Sequence, residues 1–251
     1  MKCLLTADLH YALPQLDWVR AVAGRFDLVV LAGDLLDLAS LVEDDIQTLV
    51  VMKYLQRISA ESRLLVSSGN HDCIERSAGN EAVATWLAAA REQGVLVDGD
   101  AFQQDGVLFT ICPWWDGPET AGALAGLLER DAAREKRRWI WVYHAPPDQT
   151  RVSWTGKGYF GDGLLLDHAR RYAPDLVLGG HVHQAPFRAG GGWVDRRDRT
   201  WFFNAGRQIG PEPAFVVLDL EAWNATWISQ AGRAFLDLSA PWDPEHPPPT
   251  E

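Results

Sequence analysis

Five polar motifs, each standing directly after a short apolar run, constrain this chain more than any other feature. Asp8-Leu9-His10 comes after Cys3-Leu4-Leu5, Gly33-Asp34 after Leu28-Val29-Val30-Leu31, and Gly69-Asn70-His71-Asp72 after Leu64-Leu65-Val66. Tyr143-His144 comes after Ile140-Trp141-Val142, and Gly180-His181-Val182-His183 after Leu176-Val177-Leu178. Apolar runs of this length, rich in branched side chains, read as buried strands. The polar clusters therefore sit at strand ends. In open α/β sheets the crevices lie at the carboxyl ends of strands, so five segments distant in sequence can meet at one point.

The residue types at those ends are metal donors. Asp, His and Asn offer carboxylate, imidazole and amide oxygen, a set that suits Mn, Fe, Co, Ni or Zn better than Ca. No thiolate takes part in the motifs. Taken singly, Asp-x-His also fits a turn with a satisfied histidine, and Gly-Asp recurs in turns of every kind. Gly-Asn-His-Asp says more, because polar side chains packed against a buried strand are costly unless something uses them. In Gly-His-x-His the two imidazoles project to one face of an extended segment and can reach one ion or a neighbouring pair. The ordered set carries the reading.

The rest of the chain frames that site. At 251 residues, with 47% hydrophobic composition, it can bury a large core as one domain. Ile46, Val50, Tyr54 and Ile58 mark an amphipathic helix between the second and third motifs, and Val83, Leu87 and Ala90 mark another. Leu124, Leu127 and Leu128 after Pro118 predict a third, and 164–172 a fourth that stops before Pro174. Strands are expected at 107–112, 201–204, 215–218 and 226–228. Helix and strand alternate first and strands dominate last, which suits an α/β, four-layer αββα sandwich of two mixed sheets flanked by helices. The expected domain spans 1–238, and the Pro-rich segment 239–251 is a tail with His246 on its surface.

Composition narrows partners and setting. No apolar run approaches membrane-spanning length, and Met1 to Asp8 reads as a strand rather than a cleavable signal. Three scattered cysteines, Cys3, Cys73 and Cys112, form neither a disulfide framework nor a thiolate site, so a reducing cytoplasm is the expected location. With 34 acidic and 23 basic residues the chain is poorly suited to neutralising a nucleic-acid backbone, which counts against a nuclease. The basic run Arg134 to Arg138 is expected to complement a helix terminus, and Arg196 to Arg199 to form a solvated hairpin end.

In its order and residue types the motif series resembles the calcineurin-like metallophosphoesterase superfamily over residues 8 to 183. That resemblance implies the αββα fold and a dinuclear centre in which Asp8, His10, Asp34 and His183 hold one metal. Asp34, Asn70, His144 and His181 would hold the second, with Asp34 bridging. His71 matches the histidine that contacts the scissile phosphate and its leaving group, and Asp72 the acidic residue that orients it. The implied reaction is hydrolysis of a phosphoester by a metal-bridging hydroxide. Two divalent ions, two carboxylates and one hydroxide leave about one positive charge, which attracts an anionic ester.

Asp72 stands where protein serine/threonine phosphatases of the superfamily carry Glu, and the continuation Cys73-Ile74-Glu75 differs from theirs. Tyr143-His144-Ala145-Pro146-Pro147 and His181 to Pro186 look more like the bacterial phosphodiesterase-type branch. The expected substrate is a small or nucleotide-like phosphoester, with phosphomonoesterase or nucleotidase activity as the alternative and a non-catalytic scaffold less favoured because every ligand position is filled. Asn204-Ala205-Gly206-Arg207 closes the series where many members have Asn followed by Pro-Gly-Ser, and Arg207 is a candidate phosphate contact. Trp154 and Lys157, with Tyr159 and Phe160, lie in the long segment after His144 and are candidate substrate contacts. Trp114, Trp115 and Asp116 could form another wall. Asp37, three residues beyond Asp34, could bond one of the metal-ligating histidines or cap the segment that follows.

Overall fold

Short strands, buried almost throughout at the centre of each sheet, account for the two sheets of this protein, seen in a computed structural model that describes residues 1–244 and 248. The first sheet begins with β1 (Lys2–Thr6), β2 (Leu28–Ala32) and β3 (Arg63–Ser67), and a small hairpin pairs β4 (Glu75–Arg76) with β5 (Ala82–Val83). The second contains β6 (Ala101–Gln104), β7 (Val107–Ile111), β8 (Arg138–Val142), β9 (Leu176–Gly179), β10 (Val194–Arg197) and β11 (Thr200–Asn204). The chain then rejoins the first with β12 (Phe215–Asp219), β13 (Asn224–Ser229) and β14 (Gly232–Asp237). The helices are α1 (Leu13–Val22), α2 (Asp44–Ser59), α3 (Leu87–Glu92), α4 (Pro118–Ala132) and α5 (Gly163–Tyr172).

Strand order is β14-β13-β12-β1-β2-β3 in one sheet and β10-β11-β9-β8-β7-β6 in the other. The motif-bearing strands β1, β2 and β3 run parallel, as do β8 and β9. Both sheets are thus mixed. Alternation along each strand divides the core into three layers. Cys3, Leu5, Val30 and Leu65 face Phe109, Ile140, Val142 and Leu178 across the sandwich. Leu4, Val29, Leu31 and Val66 point the other way, onto α1, α2 and α3. Leu108, Trp139, Trp141 and Val177 pack on α4 and α5. Each such side chain contributes roughly 1.5–3 kcal/mol by leaving water, and the result is the αββα sandwich expected from the sequence.

Helix ends follow local chemistry. The Asp162 side chain accepts from the Leu164 and Leu165 amides at the start of α5, which stops where Ala173 turns left-handed. The run after α4 behaves as expected of a helix terminus: Lys136 Nζ donates to the Asp131 and Ala132 carbonyls at 3.0 and 2.8 Å. The turn between β10 and β11 is a hairpin end with Asp198 at positive φ.

Two expectations need correction. The buried face of α2 is Gln47, Val51, Leu55 and Ile58, while Ile46 is 47% exposed. Gln47 displaces the apolar stripe by holding the preceding loop: its Oε1 accepts from the Asp37 amide, and its Nε2 donates to the Asp37 and Val42 carbonyls. Val83 lies in β5, so α3 is shorter than expected. In the C-terminal segment, the Trp242 ring packs edge-on against Trp201 and Arg151 donates to the Pro244 carbonyl. His246 and the other residues from 245 on, save 248, lie outside the described residues.

Candidate metal centre

The carboxyl ends of five parallel strands, three from the first sheet and two from the second, deliver their motifs to one place. Asp8 follows β1, Asp34 follows β2, Asn70 follows β3, His144 follows β8, and His181 and His183 follow β9. The backbone there is unusual. Asp8, His10, Asp34 and His181 all have positive φ, a conformation that costs energy in non-glycine residues and concentrates at functional sites. Gly33 also has positive φ, +87°, and a Cβ there would collide with the His144 ring. A Cβ on Gly180 would strike the Asp8 carboxylate. These glycines let the donor side chains lie against backbone.

Beside a group of His10, Asp37 and His71, two further overlapping groups of donors result, one of Asp8, His10, Asp34 and His183 and one of Asp34, His144 and His181. Asp34 belongs to both. His183 Nε2 lies 3.2 Å from Asp8 Oδ1 and 3.0 Å from His10 Nε2. His144 Nε2 lies 3.2 Å from both Asp34 Oδ2 and His181 Nδ1. The Asp8 carboxylate accepts from the His181 amide with each oxygen at 3.0 Å, and the Asp34 Oδ1 accepts from the His71 amide at 2.8 Å.

The donor chemistry fits divalent cations. His144 Nδ1 meets the Ala32 carbonyl at 2.7 Å, an oxygen that can only accept, so Nδ1 carries the proton and the neutral ring turns a lone pair on Nε2 toward the Asp34 oxygen. Asn70 Oδ1 is buried without a hydrogen-bond partner. Lone pairs converging in this way, with one buried acceptor orphaned, suit an ion between them. In the metal-free protein the charges compensate one another. Burial opposes charging His144, yet Asp34 beside it holds its pKa up to about 9. Burial likewise opposes ionising Asp34, but His144 and His10 hold its carboxyl below the usual range. Burial pushes His10 and His181 down to about 4.

His71 sits at the edge of this cluster, its ring 4.5 Å from that of His10. The expectation that Asp72 orients it is corrected by the hydrogen bonds. Asp72 Oδ2 accepts from the Asp34 and Gly69 amides, and Oδ1 from the Leu35 and Leu36 amides, at 2.7–3.0 Å. Four buried N–H groups would be orphaned without it, so this carboxylate shapes the loop after β2. Groups near His71 are instead the Leu38 amide, which donates to Nδ1 at 3.1 Å, and Asp37 Oδ1 at 3.8 Å. The Asp34-x-x-Asp37 spacing led to the expectation that Asp37 bonds a metal-ligating histidine; it lies instead beside His71, the histidine outside the expected ligand set.

Asn204 acts as a clamp: its amide donates to the Val152 and Val182 carbonyls and its oxygen accepts from Gly206. Arg207 is exposed; its backbone amide donates to the His183 carbonyl at 3.0 Å, and its charge is close enough to act on His10. Trp154 and Lys157 are not brought to the cluster in this way. Trp154 donates its indole N–H to the Ala189 carbonyl and packs on Tyr159, while Lys157 is exposed. The aromatic groups that do approach are Trp114 and Phe160, with ring centroids 5.4 and 5.1 Å from His181. Beside them a cavity of about 350 Å³ opens.

A family model described as calcineurin-like phosphoesterase matches residues 1–185. No curated protein sequence matches the chain. Among solved structures, a dimetal phosphatase from Danio rerio superposes with a TM-score of 0.57 at 12% identity, covering 95% of this chain and 99% of that one. A purple acid phosphatase from yellow lupin (Lupinus luteus) seeds gives 0.54 at 12% identity over 95% of this chain and 52% of that one. At such identities the likeness is one of fold.

Proposed function

The chain belongs to the calcineurin-like phosphoesterases and is a hydrolase of phosphoesters, and from that premise we propose that it is a phosphodiesterase of the bacterial branch acting on a small, nucleotide-like substrate. Asp8, His10, Asp34 and His183 hold one divalent transition ion in this reading, and Asp34, Asn70, His144 and His181 the other. When bound, the pair supplies Lewis acidity toward phosphoryl oxygens and a water acidic enough to ionise near neutral pH. Mn²⁺ suits the mixed oxygen and nitrogen donors.

The chain's own groups do the positioning. Because the Leu38 amide donates to His71 Nδ1, the neutral imidazole carries its proton on Nε2 and can give it to an ester oxygen. Arg207 adds positive charge on the His10 side for an anionic substrate. Three free cysteines fit a reducing cytoplasm.

The observation that carries diester over monoester is the cavity against His181, whose lining includes no lysine or arginine. It has room for a second organic substituent and offers no cation to a further anionic oxygen. The test is turnover by metal-stripped protein restored with Mn²⁺. The expected result is faster hydrolysis of an aryl phosphodiester than of an aryl phosphomonoester, with His71→Ala lowering it by about a hundredfold or more. Preference for the monoester would move the assignment to a phosphatase.

A further inference from the structure

The cavity beside His181 is lined by aromatic side chains held to different degrees and by two carboxylates, Asp116 and Asp162. Trp114, Trp115, Tyr143 and Phe160 all line it. Three of these are tied down: the Trp115 indole N–H and the Tyr143 hydroxyl both donate to Asp162 Oδ2 at 2.7 Å, and the Trp114 amide donates to Ser68 Oγ at 2.9 Å. Asp162 Oδ1 is itself occupied by the α5 amides. Phe160 differs. Its backbone amide is held by the Ser153 carbonyl, but the residue is 61% exposed and its ring lies nearly parallel to His181, 21° between planes.

The two titratable side chains at the slot, apart from His181 and Tyr143, are Asp116 and Asp162. Asp162 is buried and saturated with donors. Asp116 is exposed, and its Oδ2 takes the Ala82 amide at 2.8 Å with Arg76 at 3.5 Å. A carboxylate at the mouth repels a second phosphate and accepts from a ring N–H or amino group.

We propose that this slot, between Trp114 and Phe160 and bordered by Asp116, selects substrates by stacking a neutral planar ring with a hydrogen-bond donor on its edge, such as an aminated nucleobase, and rejects a second phosphate. Phe160 and Asp116 are specificity-determining residues. This rests on the phosphoesterase reading of the adjoining centre, and deepens it.

The test is calorimetric titration of Mn²⁺-loaded protein carrying His71→Ala to block turnover, with AMP, ribose 5-phosphate and ADP as probes. AMP should bind about tenfold more tightly than ribose 5-phosphate, the scale of one stacked base, and ADP no more tightly than AMP. Phe160→Ala should abolish the AMP advantage and Phe160→Trp restore it, while ribose 5-phosphate binding stays unchanged in both. Asp116→Asn should lift the discrimination against ADP. Equal binding of AMP and ribose 5-phosphate, or an AMP advantage that survives Phe160→Ala, would overturn the proposal. The diester reading stands or falls separately, on turnover by the wild-type enzyme. If neither AMP nor ribose 5-phosphate binds, the slot is not a subsite of a phosphate-binding centre and the proposal fails with it.

Discussion

His144 links protonation to metal binding. Its Nδ1–H is committed to the Ala32 carbonyl, and the neighbouring Asp34 carboxylate holds its pKa at about 9 against the penalty of burial. This lies above the ~6.5 of a free imidazole. The stabilisation from protonated His144 is therefore present in full below about pH 6.5 and is lost as pH rises through about 9. A metal on Nε2 must displace that proton. Mn²⁺ binding at about pH 7 is expected to release a proton, measurable with a pH indicator, and the release should vanish well above the folded pKa. Metal-free protein should lose Tm over that interval, whereas loaded protein should not. Asp72 makes a second expectation at this scale. Because it satisfies four buried amides, Asp72→Ala should cost about 3 kcal/mol or more in urea unfolding. An Asp72 variant with reduced kcat and undiminished stability would restore the role of orienting His71.

Among the elements, the motif-bearing strands and the stripe of α4 were legible, and the phase of α2 was not. The runs before the five motifs are four or five buried residues long, too short for helices and free of polar interruption, so both their type and their role in carrying the donors could be read. The stripe of α2 was misread because Gln47, a polar residue, is buried for its three hydrogen bonds to the loop at 37–42; apolar periodicity carries no signal for that. The strands β6, β10 and β14 went unnoticed because they carry few buried apolar residues: β6 ends in two exposed glutamines, β10 in two arginines, and β14 alternates buried and exposed positions among charged residues. Trp154 and Trp114 were both candidate contacts from sequence; only Trp114 approaches His181, because Trp154 bonds Ala189 and packs on Tyr159 where its loop folds back. Since Gln47 holds the Asp37 amide next to the Leu38 amide that bonds His71, Gln47→Ala should lower Tm, by about 1–3 kcal/mol of stability. It should also reduce kcat more than it raises KM. A variant with wild-type kinetics would show that the loop is held by other contacts.

For the molecule as a whole, the donor cluster joins the two sheets. Asp8, Asp34 and Asn70 come from the first, and His144, His181 and His183 from the second. The sandwich core between them is apolar, so an ion at the shared strand ends would tie the layers where hydrophobic packing gives way to polar groups. This arrangement was readable from motif order, since parallel strands deliver their carboxyl ends to one side; Phe160 and Trp114 to Asp116 were candidate contacts from sequence, but that separate loops bring them to one cavity beside His181 was not readable. The donor residues are expected to form one dinuclear site with Asp34 shared. Elemental analysis of metal content per chain, after loading with Mn²⁺ and removal of excess, tests it most directly. About two ions per chain are expected in the wild type, and Asp34→Asn should lower the content at both positions because the carboxylate serves each. One ion or none in the wild type, or two retained in Asp34→Asn, would contradict it.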